Sequence, residues 1–113
     1  MMPADNLLPV VVSWQHSTSN SIDLKFVPPH GTKFARFELE RCRSGADAQW
    51  MLVGAHFKSN MGTVGGLQPS TVYIFRARGV KQNGTKFAWG RPSDGIMTLS
   101  QATTTKSSAC LVM

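Results

Sequence analysis

Apolar and polar residues alternate along most of this chain, and turn-forming residues interrupt the alternation about every eight to twelve positions. The pattern is clearest at residues 72–80, where Tyr73, Phe75 and Ala77 share one face while Arg76 and Arg78 share the other. Further strands are predicted at residues 10–14, 22–26, 33–43, 50–53, 61–64 and 87–99. Because helix signals are nearly absent, these short strands predict an all-β fold, a two-sheet sandwich with a core of inward-facing side chains.

The first two predicted strands illustrate the rules that set faces and ends. Val10, Val12 and Trp14 have the same parity, so we expect them on one face of the first strand. The second strand should end at Pro28 and Pro29, because proline has no N–H group to donate to a neighbouring strand.

Composition divides the chain into three parts. We expect residues 1–6 to form a flexible N-terminus, residues 7–99 to form one folded domain, and residues 100–113 to form a flexible tether. The first ten residues of the tether are small and polar without an apolar period, and as a coil they would reach roughly 17 to 19 Å.

The last four residues, Cys110-Leu111-Val112-Met113, resemble a CaaX prenylation box. The box predicts a lipid on Cys110, and the terminal methionine favours farnesyl, although the sequence leaves geranylgeranyl open. The resemblance implies prenyl-processing enzymes as partners, followed by removal of the last three residues and methylation of the new carboxyl end. One lipid chain binds a membrane only marginally, and Lys106 is the one basic residue near Cys110. We therefore expect a peripheral, lipid-anchored protein whose membrane association is dynamic or is assisted by a partner or by the basic surface of the domain.

The other sequence features that bear on localisation favour the cytosol. The chain has 113 residues without an apolar run long enough to span a bilayer, and its start does not resemble a signal peptide. Residue 2 is methionine, which excludes N-myristoylation. The two cysteines, Cys42 and Cys110, are not expected to pair, and Asn83-Gly84-Thr85 fits a tight turn better than a glycosylation site.

The net charge is +6 and the isoelectric point is about 9.9. This balance suits anionic membrane surfaces, nucleic acid or acidic proteins as partners. Because the basic residues are spread from Lys25 to Lys106, any basic patch must be assembled by the fold.

The segment GLQPSTVYIFRAR, residues 66–78, resembles the signature of the fibronectin type III family, in which Gly-Leu-x-Pro-x-Thr-x-Tyr leads into the sixth strand. Residues 22–29, 37–40, 50–53 and 84–93 resemble further parts of the pattern in the same order, so the similarity spans about residues 7–99. The resemblance implies a seven-stranded antiparallel immunoglobulin-like sandwich. It also implies a protein-binding module that is not an enzyme.

Four residues are expected to have structural roles in this fold. Leu67 belongs to the signature, and Tyr73 would form the tyrosine corner, in which a buried ring bonds nearby backbone through its hydroxyl. Phe26 and Phe37 replace the usual tryptophan and tyrosine of the second and third strands. Both substitutes are large aromatic residues, so the core can still be filled.

The resemblance also predicts a candidate binding face. The third and sixth strands are neighbours in this fold, so Glu38 and Glu40 should face outward opposite Arg76 and Arg78. Each cross-strand pair would contribute only ~0.2–1 kcal/mol. The alternative is that these charges merely keep one sheet face hydrated.

No catalytic constellation or cofactor site is expected. His16, His30 and His56 are isolated from other ligands at metal-binding spacing. Cys42 lies between two arginines, a setting that suits a nucleophilic thiol, but a half-buried structural cysteine is the better interpretation. The glycines of residues 61–66 are not followed by the Lys-Ser or Lys-Thr of a phosphate loop.

Two alternatives to a membrane-tethered adaptor stay open at this point. The first is a soluble basic module with an unmodified tail that binds acidic proteins or nucleic acid. Nucleic-acid binding would need exposed aromatic residues beside the lysines, whereas most candidates should fill the sandwich or its ends; they are Phe34, Trp50, Phe57, Phe87 and Trp89. The second is a fragment of a larger extracellular protein, which a glycan on Asn83 would support.

Overall fold

The computed structural model describes residues 10–44 and 49–101. Within these residues, seven antiparallel strands form two sheets. The three-stranded sheet has the order β1-β2-β5, and the four-stranded sheet has the order β4-β3-β6-β7. The predicted all-β, two-sheet sandwich is therefore confirmed. The strands are β1 Val11–Ser17, β2 Ile22–Val27, β3 Arg36–Arg43, β4 Met51–Phe57, β5 Met61–Val64, β6 Val72–Val80 and β7 Ile96–Met97.

The core lies between the two sheets and follows the predicted alternation. Tyr73, Phe75 and Ala77 are buried on the inner face of β6, while the arginines between them are only partly buried on the outer face. The rings of Phe26 and Phe37 stack across the core with their centroids 5.0 Å apart. Since both sheets contribute alternate side chains, the interior is filled without a helix.

The tyrosine side chain ties the start of β6 to the preceding turn. Tyr73 is 1% exposed, and its hydroxyl accepts a hydrogen bond from the backbone N–H of Gln68 at 2.8 Å. Leu67, one residue earlier, is buried in the same core cluster. This is the geometry of a tyrosine corner, in which the phenol satisfies a backbone donor near the corner of the sandwich.

Two strands depart most from their predicted limits. The fourth strand runs to Phe57 rather than ending at Val53, because Phe57 pairs with Phe37 beyond two register shifts. The last strand comprises only Ile96–Met97, although the prediction began at Phe87.

Before β7, the chain follows β6 without forming a regular ladder. The N–H groups of Phe87, Gly90 and Ser93 bond to β6 carbonyls, a spacing of three residues rather than two. Pro92, which lacks an N–H group, lies within this segment.

Trp14 departs from the predicted parity pattern. Val10 and Val12 are buried, but Trp14 is 53% exposed on the edge strand β1, just before a register shift. Its indole N–H donates to the hydroxyl of Ser17 at 2.9 Å. Its pairing with the buried Leu24 directs the Trp14 side chain towards the same face of the sheet. Because β1 is an edge strand, however, the indole ring stays partly exposed to solvent.

The described residues contain no helix with the length and apolar character that crossing a membrane requires.

Candidate protein-interaction surface on the four-stranded sheet

The register of β3 against β6 places four charged residues on one outer face. Glu38 lies opposite Arg78, and Glu40 lies opposite Arg76. Because the residues between them point inward, all four side chains extend from the same side of the sheet. The structure thus brings together the four residues that sequence analysis assigned to a candidate face; their role in binding stays a prediction.

Glu38 is the centre of this cluster. Its Oε1 is 2.7 Å from Nε of Arg78, and its Oε2 is 3.0 Å from Nη1 of Arg36. Nζ of Lys86 lies 3.5 Å from the same Oε2. Three cations therefore surround one carboxylate whose side chain is only 6% exposed. Two of these partners, Arg36 and Lys86, were not recognised from the sequence.

Burial of Glu38 raises its pKa, but its partners reverse the direction. Hydrogen bonds from Arg36 and Arg78, together with the positive charges of Arg78 and Lys86, lower the pKa of the carboxyl to about 2. Glu38 is thus ionised near neutral pH and already occupied by its neighbours. Its side chain is therefore largely shielded from water.

Glu40 makes a second, more accessible pair. Arg76 donates from Nε to Oε1 of Glu40 at 2.8 Å, and its Nη2 is 2.6 Å from the same oxygen. The two side chains are 19% and 26% exposed, with the larger value for Arg76. A partner can therefore reach the arginine without first breaking into the core.

Two tryptophans cover the same arginines. The guanidinium carbon of Arg76 lies 4.4 Å from the ring centroid of Trp50 and 5.0 Å from that of Trp89. The guanidinium carbon of Arg78 lies 4.3 Å from the ring centroid of Trp89. We call this alternating set of Trp50, Arg76, Trp89 and Arg78 the tryptophan–arginine stack. Each such contact contributes about 0.5–1 kcal/mol at an exposed site and more where water is excluded.

Trp50 and Trp89 are exceptions to the expectation that most aromatic candidates fill the sandwich or its ends, since both lie against the outer arginines. Trp50 directly precedes the edge strand β4, and Trp89 lies in the segment that follows β6 without a ladder. A signal was present in the sequence, because two arginines at alternate positions of a central strand need cover for their apolar stems. Finding which tryptophans provide that cover required the fold.

The other aromatic candidates lie in or beside the core. Phe34 and Phe57 pack against it, and the ring of Phe87 meets that of Phe34 edge-to-face at 4.8 Å. Few ring faces among them are therefore available for stacking with bases.

The cysteines, a metal site and Asn83 were the other chemical features considered from the sequence. Cys42 is a free, buried cysteine, 6% exposed, and Cys110 lies outside the described residues. In the described part of the chain, no group of three or more metal-ligating side chains is found. Asn83 accepts a hydrogen bond from the N–H of Thr85 at 2.9 Å within an exposed turn.

Comparisons with known proteins agree with this architecture. The family model for the fibronectin type III domain matches residues 9–96. The chain belongs to the fibronectin type III family. Its members are commonly protein-binding or structural modules and are generally not enzymes.

Individual relatives extend the comparison. The chain is 30% identical over 69 residues to human Roundabout homolog 2, an alignment that covers 59% of this chain and 5% of that protein. A crystal structure of titin domains A168–A170 is 25% identical with a TM-score of 0.70, covering 82% of this chain and 32% of that one. Titin module A71 from human cardiac muscle is 24% identical with a TM-score of 0.67, covering 79% and 88% respectively. The chain thus spans a small part of the curated relative it matches.

Proposed function

We propose that this fibronectin type III protein is a non-enzymatic adaptor, tethered to the cytoplasmic face of a membrane by farnesylation of Cys110. Its folded domain binds another protein through the outer face of the four-stranded sheet. The observation that carries the binding role is the tryptophan–arginine stack. Tryptophan and arginine are the residue types that most often dominate binding energy at protein interfaces.

The charge of this face indicates the kind of partner. Arg36, Arg76, Arg78 and Lys86 supply four positive charges, whereas Glu38 and Glu40 supply two negative ones. The surplus is positive and the arginines are held in place by carboxylates and aromatic rings. An acidic partner surface would find preorganised cations there, which limits the entropy lost on binding.

The test of the binding face compares two charge-matched variants. Arg76→Gln removes a cation of the stack, while Arg43→Gln removes an exposed arginine for which no ion pair is present within the described residues. Proteins cross-linked to the chain in cells should be lost with Arg76→Gln and retained with Arg43→Gln. Equal losses, or no loss with either variant, would reject this face as the binding site.

Support for the membrane tether comes from the sequence Cys110-Leu111-Val112-Met113 alone. A CaaX box acts only at a free carboxyl end, so the proposal requires a cellular protein that ends at Met113 before processing. Intact mass of the protein from eukaryotic cells, with and without a farnesyltransferase inhibitor, tests both requirements. We expect the mass of a farnesylated, methylated chain that ends at Cys110, and we expect the inhibitor to remove this species. A mass that corresponds to geranylgeranyl would identify that lipid in place of farnesyl, and an unmodified Cys110 would reject the tether.

A second candidate function is a soluble basic module that binds acidic proteins or nucleic acid with its tail unmodified. It is favoured by lysines that lie outside the ion pairs of the sheet, among them Lys33 and Lys81. For nucleic acid, affinity should fall with salt along a slope set by the number of phosphates neutralised. A salt-insensitive interaction would reject that version.

A further inference from the structure

The two connections at one end of the sandwich border a basic cavity that is open to solvent. It has a volume of about 470 Å³ and is lined by Gly31, Thr32, Lys33, Lys81 and Phe87. The first three residues belong to the β2–β3 connection and the last two to the segment after β6. None of them is part of the tryptophan–arginine stack, so this is a separate surface.

Both walls of the cavity are held by backbone hydrogen bonds. In the first wall, the N–H of Thr32 donates to the carbonyl of Pro29 at 3.0 Å, and Gly31 has a positive φ of 80°. A glycine at this position is what a type II turn requires. In the second wall, the carbonyl of Lys81 accepts from the N–H of Gly84 at 2.8 Å.

The two walls are also fixed to each other. The N–H of Ala35 donates to the carbonyl of Val80 at 2.8 Å, and Lys86 forms a bridge with Val80. The ring of Phe34, before β3, also meets the ring of Phe87, after β6, edge-to-face at 4.8 Å. The cavity is therefore built on an ordered base, and binding would require little rearrangement of the backbone.

The lysines of the cavity have unused charge. No ion pair to Lys33 or Lys81 is present within residues 10–44 and 49–101, and Nζ of Lys81 lies 5.7 Å from the ring centroid of Phe87. Residues 28–35 and 81–90 contain no aspartate or glutamate. Asp94 lies away from the Val80 end of β6, because the N–H of its neighbour Ser93 donates to the carbonyl of Phe75, five residues before Val80.

We propose that this cavity binds a phosphoryl group carried by a phosphorylated segment of a partner protein. A phosphorylated side chain carries about −1.5 to −2 charges near neutral pH, which matches two lysines better than a single carboxylate does. The hydroxyl of Thr32 adds a donor on the cavity wall. Lysine binds phosphate as a compact point charge, so no bidentate arginine is required.

Topology favours a protein as the source of the phosphoryl group over a lipid headgroup, and this choice rests on the proposed membrane tether. The cavity lies at the Val80 end of β6, whereas β7 pairs with Val72 and leads into the tether at the opposite end. Eight residue steps along β6 separate these ends by roughly 26 Å. In a domain anchored through Cys110, the cavity would therefore lie at the end opposite the attachment point.

The test is a titration of the unlipidated 113-residue chain followed by amide NMR shifts. The probes are a short phosphoserine peptide, its unphosphorylated form and a glutamate form, all at the same ionic strength. With the phosphopeptide, the amides of Gly31, Thr32, Lys33 and Lys81 should shift together. An equal response to the unphosphorylated or glutamate peptide would overturn the proposal.

Matched variants localise the response. Lys33→Gln with Lys81→Gln should weaken phosphopeptide binding by about tenfold or more. Lys25→Gln with Arg43→Gln removes the same charge from exposed positions outside the cavity and should leave the affinity unchanged. Equal weakening by both pairs would overturn the proposal, because it would indicate only a general charge effect. Each single lysine variant repeats the test if a double variant fails to give a dispersed, folded spectrum.

Vesicles containing a phosphoinositide distinguish the two sources of phosphate. Binding to such vesicles without binding to the phosphopeptide would overturn a protein source. Because every arm uses the unlipidated chain, a negative result leaves the mass measurement of Cys110 unaffected, and the two proposals fail separately.

Discussion

The aromatic ring of Phe34 lies directly against the backbone of Gly79, in space that a side chain on Gly79 would otherwise occupy. This close contact lets the ring reach both Phe37 and Phe87, at centroid distances of 5.8 Å and 4.8 Å respectively. The missing Cβ of Gly79 thus makes room for Phe34, whose ring packs against Phe87 of the basic cavity.

Replacing Gly79 with alanine should therefore destabilise the domain. A methyl group would displace the ring of Phe34, and overpacking of this kind costs typically about 1–3 kcal/mol. Gly65→Ala is the matched control, because an added Cβ there meets nothing within 4 Å. Urea unfolding measures both variants. A Gly79→Ala free energy of unfolding equal to that of Gly65→Ala would contradict the packing argument.

Stability should fall in acid because of Glu38. The folded-state pKa of about 2 lies below the ordinary value of 4.5, so its contribution is present above pH 4.5 and is lost as the pH falls towards 2. Allowing for screening by solvent at this surface, the loss is on the order of 1–3 kcal/mol.

Glu38→Gln tests this assignment directly. The variant should be less stable near neutral pH and should lose less stability than the wild type between pH 4.5 and pH 2. The free energy of unfolding in urea, measured at several pH values, gives both quantities. Parallel pH profiles for the two proteins would show that other carboxylates account for the acid sensitivity.

Removing Trp89 should destabilise the outer face more than removing Trp14. Trp89 covers two arginines with centroid distances of 5.0 Å and 4.3 Å, whereas Trp14 is 53% exposed. Trp89→Ala should cost roughly 1–3 kcal/mol through lost cation–π contacts and lost cover of the arginine stems. Trp14→Ala should cost less. Thermal unfolding of both variants checks the order, and the reverse order would contradict the stack.

Tyr73→Phe should expose the function of the phenol hydroxyl. The substitution keeps the ring but leaves the N–H of Gln68 without its 2.8 Å acceptor, at a cost of about 1–3 kcal/mol. Relative to wild type, the rate of hydrogen exchange should increase more at the Gln68 amide than at the amides of β2. Unchanged exchange at Gln68 would show that the hydrogen bond does not protect this corner.

Much of the fold could be predicted because side-chain alternation follows directly from strand geometry. Tyr73, Phe75 and Ala77 occupy the inner face, and the family signature at residues 66–78 identifies the sandwich. The last strand was predicted too long because the chain keeps contact with β6 through bonds at every third residue, which alternation does not encode. Trp14 was predicted incorrectly for a related reason. Alternation along a strand indicates which face of the sheet a side chain lies on, but not how much neighbouring residues shield it from solvent.

The sequence by itself determined the two-sheet class, the buried Tyr73 and the outward direction of Glu38, Glu40, Arg76 and Arg78. These properties depend on local periodicity and on a family pattern of contiguous residues. Only the tertiary structure decided that Lys86 joins Glu38, that Trp50 and Trp89 stack on the arginines, and that Lys33 and Lys81 share a cavity. The physical reason is that these contacts join segments far apart in the chain, and their positions depend on loop paths that no local pattern specifies.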